Sequence, residues 1–212
     1  QPLHVADLGC GTGASTLILA EALDAHLVAV DLIPEFLAVL RERAAAASLS
    51  DRIETVAASM DALPLSDNAF DLLWSEGAIY LMGFERGLAA WRRYLKPGGV
   101  LVVSEITWLT PSRPVELEAY WTEAYPEIAT ADERIAALMR QGYDPIGHFI
   151  LPPQCWWEGY YRPLEARFDA FLRRHAGNPA AKALIASERA EIDLHERHSN
   201  KVGYGMYIAR RT

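Results

Sequence analysis

The sequence predicts an α/β fold built on a doubly wound parallel sheet. Short runs of consecutive apolar residues alternate with helical segments through the first half of the chain. A turn with three glycines joins the first apolar run to the first helical segment. Continuous apolar runs are typical of parallel strands that are covered by helices on both faces. The two observations together predict repeated strand–helix–strand units.

The expected elements of the first half follow in regular order. Pro34 stands in the first turn of the second helix, where proline is favoured. The segment Lys96-Pro97-Gly98-Gly99 is expected to end the third helix. We expect strands at residues 5–8, 27–31, 53–58, 70–75 and 100–105, and helices at 15–23, 34–47 and 85–95.

The second half is rich in aromatic residues and proline. Its periodicity predicts four helices and two further strands. The helices are expected near residues 114–125, 131–141, 163–175 and 180–197, and the strands at 143–151 and 203–210. No internal repeat or low-complexity linker interrupts the chain, so we expect residues 1–212 to form a single domain.

Composition excludes several classes of function. The net charge of -8 over 212 residues argues against a nucleic-acid partner. No apolar run approaches the roughly 18 residues of a membrane span, so no membrane partner is expected. Cys10 and Cys155 have no metal-ligand spacing and cannot form a disulfide framework, which favours the cytoplasm. The chain opens at Gln1 and reaches its first strand at once, so we expect further residues upstream.

The glycine turn predicts a binding site for a nucleotide-type ligand. Gly9, Gly11 and Gly13 follow the first strand directly, and a helix begins immediately after them. Glycine tolerates positive φ and lets a ligand approach bare backbone. A helix N-terminus offers free N–H groups to a carboxylate or phosphate. Cys10 is interpreted as a small turn residue.

Polar side chains at the ends of the other strands favour a nucleoside. Ligands of parallel α/β sheets bind beyond the carboxyl ends of the strands. Asp31 could accept hydrogen bonds from ribose hydroxyls, although a helix cap is the alternative for this residue alone. Met60 could cover an adenine ring, and Asp61 could accept from its amino group.

The glycine spacing also fits a nicotinamide-dependent oxidoreductase. Asp7 argues against that alternative, since a carboxylate at this position would repel a pyrophosphate and suits a ligand with an ammonium group. A binding module without catalysis is a third alternative.

The sequence resembles class I S-adenosylmethionine-dependent methyltransferases over about residues 3–106. The segments that carry the resemblance are Val5–Gly13, Asp31, Asp61–Leu65, Phe70–Leu73 and Tyr94–Gly99. The resemblance implies a seven-stranded sheet with an antiparallel last strand, and the helices of the second half are expected to form a C-terminal helical cap. Residues 1–106 would be the cofactor-binding half, and residues 107–212 would supply the substrate-side cap and the last two strands. Such enzymes usually have lid helices before the first strand, which this sequence lacks.

The resemblance also implies roles for individual residues. Asp7 and the three glycines would bind the methionine part of S-adenosylmethionine, with S-adenosylhomocysteine as the product. Asp31 would bind the ribose, and Leu32 is counted with it among the cofactor-binding residues. Met60 and Asp61 would contact the adenine. Ser75 and Glu76 would line the methyl-donor pocket.

Glu76 is the candidate general base, with a structural hydrogen bond as the alternative. Tyr80 could shape the catalytic pocket or simply pack. No metal is expected. Methyl transfer from a sulfonium needs mainly alignment of the nucleophile and exclusion of water.

The expected acceptor is a small molecule, either an amine or an aromatic compound. Aromatic side chains of the second half could stack on it or could form the core of the cap. They are Trp108, Trp121, Tyr125, Trp156, Trp157, Tyr160 and Tyr161. His195 and His198 are expected to be solvated at a polar helix end. The sequence does not predict the oligomeric state.

Overall fold

The computed structural model of the protein describes residues 1–212. It contains eight strands, which we number in chain order. They are β1 (Leu3–Leu8), β2 (Ala25–Asp31), β3 (Ile53–Ala57), β4 (Phe70–Ser75), β5 (Leu95–Trp108), β6 (Ala129–Thr130), β7 (Tyr143–Ile150) and β8 (Val202–Arg211).

Eight α-helices connect the strands. They are α1 (Ala14–Ala22), α2 (Pro34–Ala46), α3 (Phe84–Trp91), α4 (Val115–Ala124), α5 (Ala131–Arg140), α6 (Pro153–Trp156), α7 (Arg162–Arg174) and α8 (Pro179–His198). A π-helix at Trp157–Tyr161 joins α6 to α7, and short 3₁₀ turns lie at Ser50–Arg52, Ile79–Leu81 and Arg92–Tyr94. None of the helices combines the length and the apolar content needed to cross a membrane.

The strands form one mixed sheet in the order β3-β2-β1-β4-β5-β8-β7. The first five strands pair in parallel, and the C-terminal strands bring in antiparallel pairing. The chain order reverses between β1 and β4, because β2 and β3 lie on the other side of β1. The predicted doubly wound sheet with seven main strands is confirmed. The two-residue strand β6, which pairs with β5, is additional.

Two compact units make up the chain. The first comprises Gln1–Glu105, Ala131–Phe149 and Gly205–Thr212, and the second comprises Ile106–Thr130 and Ile150–Tyr204. The first unit therefore takes in segments from beyond residue 107, whereas the sequence suggested a division of the chain into two halves.

Alternation along the strands places apolar side chains on both faces of the sheet in the first unit. Val5 and Leu27 pack on one face with residues of α1 and α2. Leu8 and Leu73 pack on the other face with Trp91 and residues of α5. Helices therefore cover both faces, which explains why the strands have apolar residues at consecutive positions.

The second unit has its own apolar cores. One of them contains the buried side chains of Trp108, Leu117 and Trp121. The other contains Tyr161 and Phe168, packed against α8. The buried indoles of Trp108 and Trp121 thus belong to the core, which was one of the two alternatives for the aromatic residues.

The third helix is shorter than predicted. It ends at Trp91, and the chain tightens into the 3₁₀ turn before Leu95 pairs with Phe70. The strand register shifts before Leu72 pairs with Val100, so Lys96-Pro97-Gly98-Gly99 forms an irregularity within β5. The sequence located this break correctly but assigned it to the end of the helix.

Candidate functional site

The ends of β1 and β4 lie side by side at the reversal of strand order, where open α/β sheets bind ligands. The Ser75 hydroxyl at the end of β4 donates a hydrogen bond to the carbonyl oxygen of Leu8 at the end of β1, at 2.9 Å. Both residues are fully buried. Ser75, which was expected to line a pocket, therefore joins the two strand ends with its side chain.

The glycine turn leaves β1 in a left-handed conformation. Gly9, Gly11 and Gly13 have φ values of 76°, 55° and 82°. A Cβ atom on Gly9 would lie 2.4 Å from the Cβ of Ala78, whereas one on Gly11 would meet nothing within 4 Å. Gly9 is therefore needed for both its φ and its close packing, and Gly11 leaves open space beside the backbone.

Hydrogen bonds attach the turn to the end of β2. The backbone N–H groups of Gly9 and Cys10 both donate to the carbonyl oxygen of Val30, at 2.8 and 3.0 Å. The Gly11 N–H donates to Asp31 Oδ2 at 2.8 Å, and the Ile33 N–H donates to Asp31 Oδ1 at 2.9 Å. Each carboxylate oxygen can accept a further bond, so Asp31 can hold the turn and still bind a hydroxyl group.

Asp7 is a buried carboxyl group beneath the turn. The Thr16 hydroxyl donates to Asp7 Oδ2 at 2.5 Å. Burial raises the pKa of Asp7 from 3.8 to about 7, and although the bond from Thr16 opposes this rise, the nearby carboxylates of Glu76 and Asp31 add to it. A cation bound beside Asp7 would favour its charged form.

A cavity of about 320 Å³ opens at these strand ends. Its lining residues are Asp7, Gly9, Cys10, Gly11, Ala14, Ser15 and Glu76. Such a volume lies at the lower end of the range for small-molecule sites, roughly 300 to 1,000 Å³. Helix α1 begins in the cavity wall, and its N-cap residue Gly13 supplies no side-chain cap. The free N–H groups of its first turn are therefore available to a ligand.

Glu76 is exposed in this cavity wall. Its Oε2 accepts a hydrogen bond of 2.6 Å from the Ser15 hydroxyl, which orients the carboxylate. The following residue, Gly77, has a φ of 63°, and its N–H donates to the Ser104 hydroxyl at 2.7 Å. These two bonds fix the loop that follows β4.

Several predicted residues do not line the cavity. Leu32 is 67% exposed beside Asp31, and Tyr80 is 43% exposed in the 3₁₀ turn after β4. The Met60 carbonyl oxygen accepts a bond of 3.0 Å from the Trp91 indole N–H. Asp61 lies on the surface, 4.0 Å from the Arg86 guanidinium.

Three cavity residues were not among the sequence-predicted site residues. Ala14 and Ser15 are the first residues of α1, and their position directly after the glycine turn is a signal that could have identified them. Cys10 also lines the cavity. Burial raises the pKa of its thiol far above the ordinary value, which disfavours the reactive thiolate form. No cluster of three His, Cys, Asp or Glu side chains could hold a metal.

The prediction that His195 is solvated is wrong. It is 3% exposed and packs within the second unit against Trp156 and Tyr161. Residue 195 lies three positions after the buried Ile192, and this helical spacing places it on the apolar face of α8. His198 is half-buried, and its Nε2 lies 2.7 Å from Glu116.

Comparisons with known proteins agree with this fold and site. Residues 5–99 match a family model described as a methyltransferase domain. The chain is 38% identical over 118 residues to a demethylmenaquinone methyltransferase of Clavibacter sepedonicus, covering 55% of this chain and 46% of that protein. It is 36% identical over 110 residues to a malonyl-[acyl-carrier protein] O-methyltransferase of Dechloromonas aromatica, covering 50% and 37%. The chain thus spans less than half the length of these two relatives.

Solved structures share the fold over the whole chain. An S-adenosylmethionine-dependent methyltransferase from Geobacter sulfurreducens, in complex with S-adenosyl-L-homocysteine, superposes with a TM-score of 0.85 at 19% identity. The match covers 100% of this chain and 85% of that one. The [4+2]-cyclase SpnF superposes with a TM-score of 0.79 at 23% identity, covering 99% and 74%. This architecture therefore occurs in proteins with different reported activities, so the fold alone does not establish the activity.

We predict that Gly9→Ala destabilises the protein more than Gly11→Ala. Both substitutions place alanine at positive φ, at a cost of about 1–2 kcal/mol. Only the Cβ at residue 9 also collides with Ala78. Urea unfolding of both variants measures the difference, and equal losses of stability would show that packing around Gly9 is unimportant.

We predict that Asp7→Asn flattens the pH dependence of stability between about pH 4 and pH 7. The folded pKa of Asp7 is raised to about 7, so in this range the folded state binds more protons than the unfolded state. The wild-type protein therefore loses stability as the pH rises, by up to about 1.4 kcal/mol per pH unit, and the loss is complete above the folded pKa. Asparagine cannot titrate. Urea unfolding at several pH values provides the test, and parallel curves for the two proteins would contradict the burial effect.

Proposed function

We propose that the protein transfers a methyl group to a small-molecule acceptor. The premise is that residues 5–99 form a class I S-adenosylmethionine-dependent methyltransferase domain. Residues 1–106 would bind the cofactor within a single methyltransferase domain. Residues 107–212 would supply the acceptor side and the last strands. Two free cysteines favour a reducing compartment, and we propose a cytoplasmic location.

One observation carries the proposal: the Asp7 carboxyl group and the uncapped start of α1 lie in the wall of the same cavity. A ligand with an amino-acid end has an ammonium group to pair with Asp7 and a carboxylate to accept from the helix N–H groups. The methionine part of S-adenosylmethionine has this pattern of charges. A dinucleotide would instead bring a pyrophosphate towards Asp7 and Glu76.

The adjoining surface fits the nucleoside end of the same ligand. The Asp31 carboxylate is held by two backbone amides and keeps acceptor capacity for ribose hydroxyls. Leu32 offers an exposed apolar side chain beside it. Met60 approaches the glycine turn, since its Sδ would lie 3.3 Å from a Cβ on Gly9. We assign adenine contacts to Met60 and Asp61.

The protein itself has few chemical tasks in this reaction. When bound, S-adenosylmethionine supplies a methyl group already activated on a sulfonium. The protein has to align the acceptor for in-line displacement and keep water away. We propose that Glu76 Oε1 takes the proton that the acceptor's nucleophilic atom releases. Ser15 holds the other carboxylate oxygen, so the base keeps a fixed orientation. Tyr80 would shape the acceptor pocket.

The relatives narrow the acceptor only to a broad class. Their names describe methylation of demethylmenaquinone and of malonyl-[acyl-carrier protein]. We propose a small organic acceptor, either an aromatic compound or an amine, and an amine would suit the acidic net charge of the chain.

We predict that S-adenosylhomocysteine binds the protein and that Asp31→Ala weakens its binding about tenfold or more. The variant loses acceptors for the ribose and also an anchor of the glycine turn. Calorimetric titration measures both affinities. Glu35→Ala is the matched control, because Glu35 is an exposed acid on the neighbouring helix. NAD should not bind, and tight NAD binding without binding of S-adenosylhomocysteine would refute the proposed function.

We predict that Glu76→Gln lowers kcat at least tenfold on an acceptor that must lose a proton, with little change in cofactor affinity. Glutamine keeps the shape of the side chain and can still accept from Ser15, but it is not a base. Raising the pH should not restore the kcat of the Glu76→Gln variant. Tyr80→Phe serves as the comparison, with an effect mainly on KM. Unchanged turnover in the Gln variant would exclude Glu76 as the base.

A further inference from the structure

Helix α2 supports the glycine turn in addition to the anchors at the end of β2. The buried side chain of Leu40 lies directly against Gly13, where a Cβ atom would be 2.1 Å from the Leu40 Cδ1. Leu37 and Leu40 also pack with Cys10 of the turn. The middle of α2 and the glycine turn are therefore in direct contact, and a long side chain from the following turn of α2 can reach the backbone of the glycine turn.

Arg43 is the residue of α2 that binds this backbone. Its Nη1 donates a hydrogen bond of 2.8 Å to the carbonyl oxygen of Thr12, and the same nitrogen lies 3.5 Å from the Thr12 hydroxyl oxygen. None of the salt bridges of the chain involves Arg43. Within the protein, its guanidinium group therefore bonds to Thr12 and not to a carboxylate.

The Thr12 carbonyl oxygen lies just outside the hydrogen bonds of α1. The first backbone bond of this helix runs from the Leu17 N–H to the carbonyl oxygen of Gly13, at 3.1 Å. The carbonyl group of Thr12 comes one residue earlier in the chain, and Arg43 supplies a donor for it. A bond from a charged donor is stronger than one between neutral groups. Arg43 can therefore hold this carbonyl group more firmly than a neutral side chain would.

The peptide group between Thr12 and Gly13 transmits this bond to the cavity. A peptide group is planar and rigid, so a bond to its carbonyl oxygen also fixes its N–H group. This N–H, which belongs to Gly13, donates to the carbonyl oxygen of Cys10 at 2.9 Å. Ala14 and Ser15 follow directly, and both line the cavity. The direction of the first N–H groups of α1 therefore depends on how this peptide group is held.

We propose that Arg43 is a positioning residue for the methyl donor. Its bond to the Thr12 carbonyl oxygen holds the glycine turn, and through the turn it fixes the N–H groups of α1 that would receive the carboxylate of S-adenosylmethionine. Arg43 is not among the residues that line the cavity, so it acts through the turn and not by contact with the ligand. The effect on the cofactor rests on the proposed function, whereas the hold on the turn does not.

Arg43→Met tests the proposal by calorimetric titration, because methionine keeps an unbranched apolar side chain but cannot donate a hydrogen bond. We expect it to weaken the binding of S-adenosylhomocysteine about fivefold. The binding of 5′-methylthioadenosine, which has the nucleoside but no amino-acid end, should not change. Equal affinities of wild type and Arg43→Met for S-adenosylhomocysteine would overturn the proposal. Equal weakening of both ligands would also overturn it, because the effect would then not act through the turn.

Arg41→Met is the matched control. Arg41 is an exposed arginine of the same helix, and its Nη1 donates to the Thr55 hydroxyl oxygen at 3.0 Å and not to the turn. This variant should bind both ligands as the wild type does. Arg43→Lys should recover most of the lost affinity, since an ammonium group can still donate to the carbonyl oxygen. An equal loss in Arg41→Met, or no recovery with lysine, would contradict the role of the bond to Thr12.

A further measurement needs no ligand. In Arg43→Met, the N–H groups of Gly11 and Gly13 should exchange with deuterated solvent about fivefold faster than in the wild type, and in Arg41→Met they should not. Unchanged exchange in Arg43→Met would overturn the hold on the turn. If the wild-type protein does not bind S-adenosylhomocysteine, the proposed function fails, and hydrogen exchange still decides whether Arg43 holds the turn.

Discussion

The attachment of the glycine turn to the end of β2 is the constraint on which the site depends. Two backbone N–H groups of the turn share the carbonyl oxygen of Val30, and a third N–H reaches the Asp31 carboxylate. These bonds select one left-handed conformation among the many that glycine residues can adopt. They also set the direction in which α1 leaves the turn. The position of the helix N-terminus, and with it the cavity wall, follows from this anchoring.

Local sequence signals were sufficient for most of the first unit. Each apolar run, glycine and proline acts over a few residues, and the predicted doubly wound sheet and the resemblance to S-adenosylmethionine-dependent methyltransferases are confirmed. Asp7, Gly9, Gly11 and Glu76 line one cavity, because the ends of neighbouring parallel strands meet at one edge of the sheet. The proposed binding and catalytic roles of these residues remain predictions.

The features that the sequence did not predict have a common physical cause, because they depend on which distant partner a side chain or strand contacts. Ser75 has a polar side chain at a strand end, and nothing in its neighbourhood reveals that its hydroxyl will reach the Leu8 carbonyl. His195 lies in a stretch with many charged residues, yet its helical spacing places it among aromatic rings. Trp91 ends its helix four residues early because the chain must turn for Leu95 to pair with Phe70. Long-range pairing decides such cases, and local propensity does not.

The position of β8 between β5 and β7 affects how the chain can be synthesised and folded. The two outer strands of this trio leave the ribosome well before the strand that separates them. Until β8 arrives, β5 is an open edge with unpaired backbone groups, where a strand from another chain could add. Pairing between strands so far apart in the sequence is slow, because the long intervening loop must close before the strands make contact. The nascent protein therefore passes through a stage in which chaperone protection of this edge would matter most.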